Sequence, residues 1–372
     1  MAGQADSRVF IMAGGGTGGH VVPSLAVAAE LRRRGHTCIF AGTRAGMEAR
    51  LAPERGFPIE WIEIGGLNRV GWRKAAGTLL QLPAAIVQAH RILKRHSAAA
   101  VFSMGGYVAG PVVAAAILSR IPIVTMEPNA MPGLVSRLTA RWVRHALVSF
   151  DETRHRFPKG RAEISGLPVR EEFFAIGEAA SGGPFHVLIT GGSRGARSLN
   201  KAAREAWPAL VQSAAPVSVT LQCGRDEAAG LQAEFESSGL AGEVTAFIDD
   251  MPAAYRRASL VVSRSGAGAV SEIAAAGRPS ILVPFPFAAD DHQKHNAMAM
   301  VRAGAAVMIE DRELDGARLA REILRFASGR DAIASMGSKA RAMAHPGAAR
   351  RAADVLEECA GIVDRAESAP EQ

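Results

Sequence analysis

A run of glycines between a strand-like and a helix-like segment constrains this chain more than any other feature. Met12-Ala-Gly-Gly-Gly-Thr-Gly-Gly-His20 follows the apolar run Val9-Phe10-Ile11-Met12. It precedes Val21 to Arg34, where Leu25, Val27, Ala28 and Leu31 recur at helical spacing. Strand, glycine turn and helix in that order are how α/β proteins make an anion site. Glycine lets the backbone approach a ligand closely, and the helix start offers unpaired N–H groups and a partial positive charge. Gly14, Gly16 and Gly19 also fit the dinucleotide fingerprint, a spacing that leaves the ligand open on its own.

The pattern returns about half a chain later. Phe185 to Thr190 reads as a strand, Gly191-Gly-Ser-Arg-Gly-Ala196 as a turn and Ser198 to Leu210 as a helix. A third turn, Ser265 to Gly268, follows the strand-like Leu260-Val-Val-Ser263. Between Gly166 and Pro184 periodicity is lost, and Ala179-Ala-Ser-Gly-Gly-Pro184 has linker composition. An internal echo in a chain of 372 residues predicts an α/β fold of two tandem Rossmann-like domains with parallel sheets, 1–165 and 166–345. Further strands are expected at Thr37–Ala41, Pro58–Ile64, Ala98–Ser103, Pro122–Met126, Val217–Gln222, Val244–Ile248 and Ser280–Pro284. A last helix is expected from about Pro346 to Asp364, followed by a frayed tail.

Composition narrows the classes. A hydrophobic share of 48% with 21% charged residues is ordinary for globular domains. Cys38, Cys223 and Cys359 are sparse and odd in number, which points away from a disulfide framework and towards a reducing compartment. No basic segment followed by an apolar core opens the chain, which points away from secretion. The nearly uncharged run Met104–Leu118 falls short of the roughly 20 residues of a spanning helix. The formal charge of +7 suits an acidic partner, whether nucleotide phosphate, anionic lipid or nucleic acid, or else is an uninvolved basic surface.

Two segments carry that charge. Trp72 to Arg95 sets Leu79, Leu82, Ile86 and Leu93 along one side, with Arg73 and Lys74 at its start and Arg91, Lys94 and Arg95 at its end. This is either a core-facing helix with a solvated basic end or a segment lying in a lipid interface. Arg137, Arg141 and Arg144 recur at the spacing of one helical face, either solvated or meeting phosphate and lipid head groups.

The turns restrict the chemistry. The second strand ends Ala41-Gly42-Thr43-Arg44, with Glu48 the nearest acid, which counts against a dehydrogenase. None of the turns has a Walker ending, and no set of side chains has metal-ligand spacing. Diphosphate would then be met by backbone N–H groups and by Arg170, Arg194 or Arg264. His20 stands where a general base would, with Glu127 and Asp290 or Asp291 as rivals. Glu272, read as lying in the first turn of a helix, either favours the helix dipole or accepts hydrogen bonds from a ribose. Gln293 and Asn296 either contact sugar hydroxyls or are plain helix surface.

Five motifs in order carry a family resemblance. They are Gly15-Gly-Thr-Gly-Gly-His20, Met104-Gly-Gly-Tyr107 with Gly110-Pro111, Gly191 to Ala196, Phe247-Ile-Asp-Asp-Met251, and Arg264 to Ala267 with Ser271 to Gly277. The chain resembles the MurG family of peptidoglycan N-acetylglucosaminyltransferases. The resemblance implies a GT-B fold with an interdomain cleft and a helix, within 346–372, returning to the first domain. It implies inverting transfer without a metal or other cofactor, from UDP-N-acetylglucosamine to the C4 hydroxyl of a lipid-linked muramyl-pentapeptide, giving lipid II. His20 and Glu127 carry over as catalytic candidates. Donor contacts carry over to Thr17, Gly18, Gly19, Asn129, Arg170, Ser193, Ile248, Ala267, Gly268, Ala269, Val270, Ser271, Glu272 and Gln293. Gly15, Gly16, Gly105, Gly106 and Tyr107 would receive the acceptor. The segment Trp72 to Val87 becomes the membrane patch, which places the protein peripherally on the cytoplasmic face of the inner membrane. Nucleic acid drops out of the partner set, and other cell-wall synthesis proteins become candidate partners. The sequence departs from the family where His-Glu-Gln-Asn reads Met126-Glu127-Pro128-Asn129 and where Gln-Gln reads His292-Gln293.

Overall fold

The computed structural model describes residues 7–65, 72–178, 184–192 and 195–362. It divides into two compact units, one formed by Met1–Pro168 with Gly347–Gln372 and the other by Val169–Pro346. Ala179 to Gly183, read as linker, lie outside the described residues.

The first unit opens with β1 (Val9–Gly14), α1 (Gly18–Arg33), β2 (Thr37–Gly42), α2 (Glu48–Glu54) and β3 (Ile59–Trp61). It continues with α3 (Trp72–Arg95), β4 (Ala100–Gly105), α4 (Gly106–Leu118) and β5 (Ile123–Glu127). Then come α5 (Leu134–Thr139), β6 (His145–Val148), α6 (Asp151–Arg154) and β7 (Ala162–Ile164). The seven strands lie in the order β3-β2-β1-β4-β5-β6-β7, and every pairing is parallel. A parallel sheet is covered on both faces, so its strands read as continuous apolar runs. Phe10, Ile11, Met12 and Ala13 are accordingly all fully buried.

The second unit begins with α7 (Glu171–Phe174), β8 (Phe185–Thr190), α8 (Arg197–Val211), β9 (Val217–Gln222) and α9 (Ala228–Ser238). Next are β10 (Ala241–Thr245), α10 (Met251–Arg257), β11 (Leu260–Ser263), α11 (Ala267–Ala276) and β12 (Ser280–Leu282). It closes with α12 (His292–Arg302), β13 (Ala306–Met308), α13 (Gly316–Ser328) and α14 (Arg330–Ala342). Its six parallel strands run β10-β9-β8-β11-β12-β13. Its core packs β8 and β9 against α8 and α9, with Trp207 edge-on to Phe235 at 5.1 Å.

Three short strands have no counterpart in the sequence reading: β6, β7 and β13. At three or four residues each they are too brief to show a period. The strand expected at Val244–Ile248 is shifted to Ala241–Thr245, and Ile248 falls in the loop beyond it. Arg137, Arg141 and Arg144 do not share one helical face. The α-helix stops at Thr139, a 3-10 turn takes Ala140–Trp142, and Arg144 leads into β6.

The last helix, α15 (Ala348–Cys359), packs against α1 in the first unit. Ala352, Ala353, Val355 and Leu356 are fully buried there. Arg34 donates to Asp354 and Glu357, both at 2.6 Å, and His36 Nε2 lies 2.8 Å from Glu357 Oε1. Hydrogen bonds to charged, half-buried partners are each worth about 2 kcal/mol. Arg34→Ala is therefore expected to lower the stability of the first unit by that order and to speed amide exchange in α15 and α1. Exchange mass spectrometry showing unchanged protection in both helices would rule out this anchor.

Candidate functional site

In the first unit the chain order reverses between β1 and β4, and open parallel sheets bind ligands beyond the carboxyl ends of strands at such a switch. Both strands end in glycine and run into helices, α1 and α4. His20 sits in the first turn of α1, half-buried, with Nδ1 3.4 Å from the Gly15 carbonyl. Gly106 has φ +77°, and a Cβ on it would stand 3.2 Å from that nitrogen, so a side chain there would strain the backbone and press on the imidazole. The ring of Tyr107 lies against Gly16, where a Cβ would come within 3.1 Å of its Cε1. Gly15, Gly16, His20, Gly106 and Tyr107 thus meet in one place.

Glu127 takes a different part. It is 3% exposed at the end of β5; Oε1 accepts from the N–H and side-chain amide of Asn129, and Oε2 from the N–H of Gly133 at 3.0 Å. Burial holds its carboxyl above the ordinary range, against these hydrogen bonds, which favour the ionised form. Its geometry is that of a loop anchor, which also orients Asn129.

From sequence alone Glu48 has no role beyond that of the nearest acid after the second strand. The structure buries it completely under the glycine turn, where it accepts from the N–H groups of Gly16 and Thr43, each at 2.8 Å. Its signal was present in the sequence as Gly42, Gly46 and Glu48 close together, which periodicity does not detect.

The second unit repeats the plan with its switch between β8 and β11. α11 starts after Gly266, and Ala267, Gly268, Ala269, Ser271 and Glu272 line its accessible side. Val270 is 3% exposed, so only its backbone can serve a ligand. At the other end Arg341 donates to the carbonyls of Ala275 and Ala276, so the protein satisfies the helix C-terminus itself. Ile248 has neither its N–H nor its carbonyl paired among the described residues. Ser193 and Arg194 lie outside the described residues.

Several predicted site residues already have protein partners. Arg264 is committed to protein groups, donating to Asp311 at 2.6 Å, to Ser198 at 2.7 Å and to the carbonyls of Val283 and Pro284. Through Nη1 and Nη2 it braces the segments that carry Ser198, Val283 with Pro284, and Asp311. Asn296 is fully buried and donates to the Ser265 carbonyl, so it meets no sugar. Gln293 Oε1 accepts from the N–H of Phe285, while its Nε2 lies beside Gly266. Arg170 is exposed and lies over the Phe173 ring. Asp290 and Asp291 are exposed in the left-handed region, both at φ +50°.

Glu272 belongs to the second turn of α11, not the first, and its carboxyl titrates opposite to a helix-dipole partner. Burial pushes it up to about 7, while the charge of Arg170 favours the ionised form. It has no hydrogen bond among the described residues, which leaves both oxygens for a ligand. Among those residues, too, no three His, Cys, Asp or Glu side chains converge as metal ligands do. A carboxyl whose folded pKa exceeds its ordinary 4.5 favours folding most when protonated, and loses that contribution as pH rises through about 7. Glu272→Gln is expected to melt higher than the parent chain at pH 8, with the gap closing by pH 4. A gap that stays constant across that range would remove the buried charge as its cause.

Comparison with known proteins agrees with this two-part layout. Residues 10–148 match the glycosyltransferase family 28 N-terminal domain and residues 186–352 its C-terminal domain. A protein of Solibacter usitatus is 56% identical over 94% of this chain and 96% of its own length. One of Myxococcus xanthus is 38% identical over 93% and 91%. Both are named UDP-N-acetylglucosamine–N-acetylmuramyl-(pentapeptide) pyrophosphoryl-undecaprenol N-acetylglucosamine transferase. The crystal structure of Acinetobacter baumannii MurG superposes with a TM-score of 0.82 at 32% identity, covering 95% of this chain and 99% of that one.

Proposed function

The chain belongs to glycosyltransferase family 28, and on that premise we propose that it transfers N-acetylglucosamine from UDP-N-acetylglucosamine to undecaprenyl-pyrophosphoryl-N-acetylmuramyl-pentapeptide. The observation that carries this reading is its end-to-end likeness to transferases of that name, with a glycine-turn site in each half.

The donor belongs to the second unit. The Ile248 backbone meets uracil, both oxygens of Glu272 accept from the ribose hydroxyls, and the N–H groups of Ala267 to Ala269 meet the diphosphate with Arg170 nearby. Gln293 reaches the sugar through Nε2. Attack by the acceptor C4 hydroxyl forms the new glycosidic bond with inversion and breaks the bond to UDP, whose negative charge grows as it leaves. A preorganised N–H donor at such a charge is worth on the order of 3 kcal/mol.

The acceptor belongs to the first unit. Gly15, Gly16, Gly105, Gly106 and Tyr107 receive it, and Thr17, Gly18, Gly19 and Asn129 complete the donor contacts. His20 takes the hydroxyl proton, since a proton on Nδ1 facing the Gly15 carbonyl leaves Nε2 basic. Glu127 anchors the loop that carries Asn129. The lipid is met by α3 and α4, where Leu80, Val87 and Leu118 are 82%, 48% and 74% exposed. Lys94 and Arg95 close α3, and no helix among the described residues is long and apolar enough to cross a membrane. Peripheral attachment to the cytoplasmic membrane face fits both facts.

The test is UDP release from UDP-N-acetylglucosamine in EDTA, with and without a lipid-linked muramyl-pentapeptide analogue. Release that requires the acceptor is the expected result. Epimerised sugar in its absence would move the chemistry to a 2-epimerase, and bound UDP without release would sink the assigned acceptor. In the same assay His20→Ala is expected to lower kcat about 10²-fold with the Kd for UDP unchanged. Turnover within a few-fold of the parent would take the base role from His20.

A further inference from the structure

Glu48 is a charged side chain with no exposed surface, beneath the turn that carries His20. A carboxylate is buried at several kcal/mol unless its oxygens receive donors. Here Oε2 accepts from the Gly16 N–H at 2.8 Å, and Oε1 from the Thr43 N–H at 2.8 Å and the Thr43 hydroxyl at 3.2 Å. Space for it is made by glycine on three sides. A Cβ on Gly15, Gly42 or Gly46 would come within 2.5, 2.4 and 2.1 Å of the Glu48 side chain. Three glycines fitted to one carboxylate fix the path of the loop at both ends.

The same carboxylate reaches the other glycine turn. The Thr43 hydroxyl lies 3.4 Å from the Tyr107 hydroxyl, and the Tyr107 ring packs on Gly16. Glu48 therefore links the loops after β1, β2 and β4. It also occupies the Gly16 N–H, so the turn presents a ligand with the N–H groups of Gly18 and Gly19, which have no backbone partner among the described residues.

We propose that Glu48, acting through Gly16, Thr43 and Tyr107, is a positioning residue that sets His20 and the acceptor-facing turn in their working geometry. This rests on the transferase reading above. Misplacing a catalytic group by about 1 Å costs on the order of 10²-fold in rate. Glu48→Gln keeps the volume but cannot accept on both sides, so either Gly16 or Thr43 loses its partner. Thr43→Val keeps the main-chain bond to Glu48 but removes the hydroxyl that joins Glu48 to Tyr107.

For Glu48→Gln, acceptor-dependent kcat is expected to fall tenfold or more, the acid limb of its pH profile to move, and the Kd for UDP to stay within twofold. For Thr43→Val, the acceptor KM is expected to rise severalfold with the same UDP affinity. The second variant decides the matter should the first fail to fold. Normal kcat, KM and pH profile alongside a lowered Tm would make Glu48 a scaffold residue and overturn the proposal. A parent chain that binds UDP but shows no acceptor-dependent release would overturn the transferase reading, leaving nothing for Glu48 to position.

Discussion

Backbone N–H groups that the fold leaves unpaired are what the rest of this structure serves. Each parallel sheet reverses its chain order once, and helices start beside the reversal: α1 and α4 in one unit, α11 in the other. The first N–H groups of a helix have no partner within it. Here glycine, not a capping side chain, precedes or opens these helices, which keeps the positive helix ends accessible to negative ligands. An anion-handling transferase can therefore work from main-chain groups, with few cations at the site.

Charged side chains near those turns are mostly turned inward. Glu48 and Glu127 accept from loop N–H groups, while Arg264 and Arg341 donate to loop and helix-end carbonyls. Such groups make irregular backbone rigid because a loop that strays leaves a charge buried without partners. Glu272 is the exception: a desolvated carboxyl with no protein donor among the described residues. Its environment sets this carboxyl apart from Glu48 and Glu127 more sharply than its place in the sequence does.

Much of this was legible because the two kinds of signal involved are local. Strands buried on both faces are uninterrupted apolar runs, so β8 and β11 were bounded correctly from Phe185–Thr190 and Leu260–Ser263, and the glycine turns marked their ends. What escaped depends on partners distant in sequence. Arg264 looks available until Asp311 and Ser198 are brought to it, and Asn296 looks like surface until Ser265 packs over it. Strands such as β7 and β13 exist because a neighbouring strand offers them a ladder, and three residues carry no period of their own. Arg137, Arg141 and Arg144 have helical spacing without a helix to display it, because the chain tightens at Ala140 and then turns into β6.

The return of α15 to the first unit has a consequence for the order in which the molecule is made. Ribosomes deliver the chain from its N-terminus, and domains generally fold as they emerge. The second unit is one continuous stretch, Val169–Pro346, and can close as soon as that stretch is out. The first unit begins earlier, yet Arg34 and His36 wait for Asp354 and Glu357, and the surface of α1 waits for Val355 and Leu356. The half that is synthesised first is thus the half that is finished last.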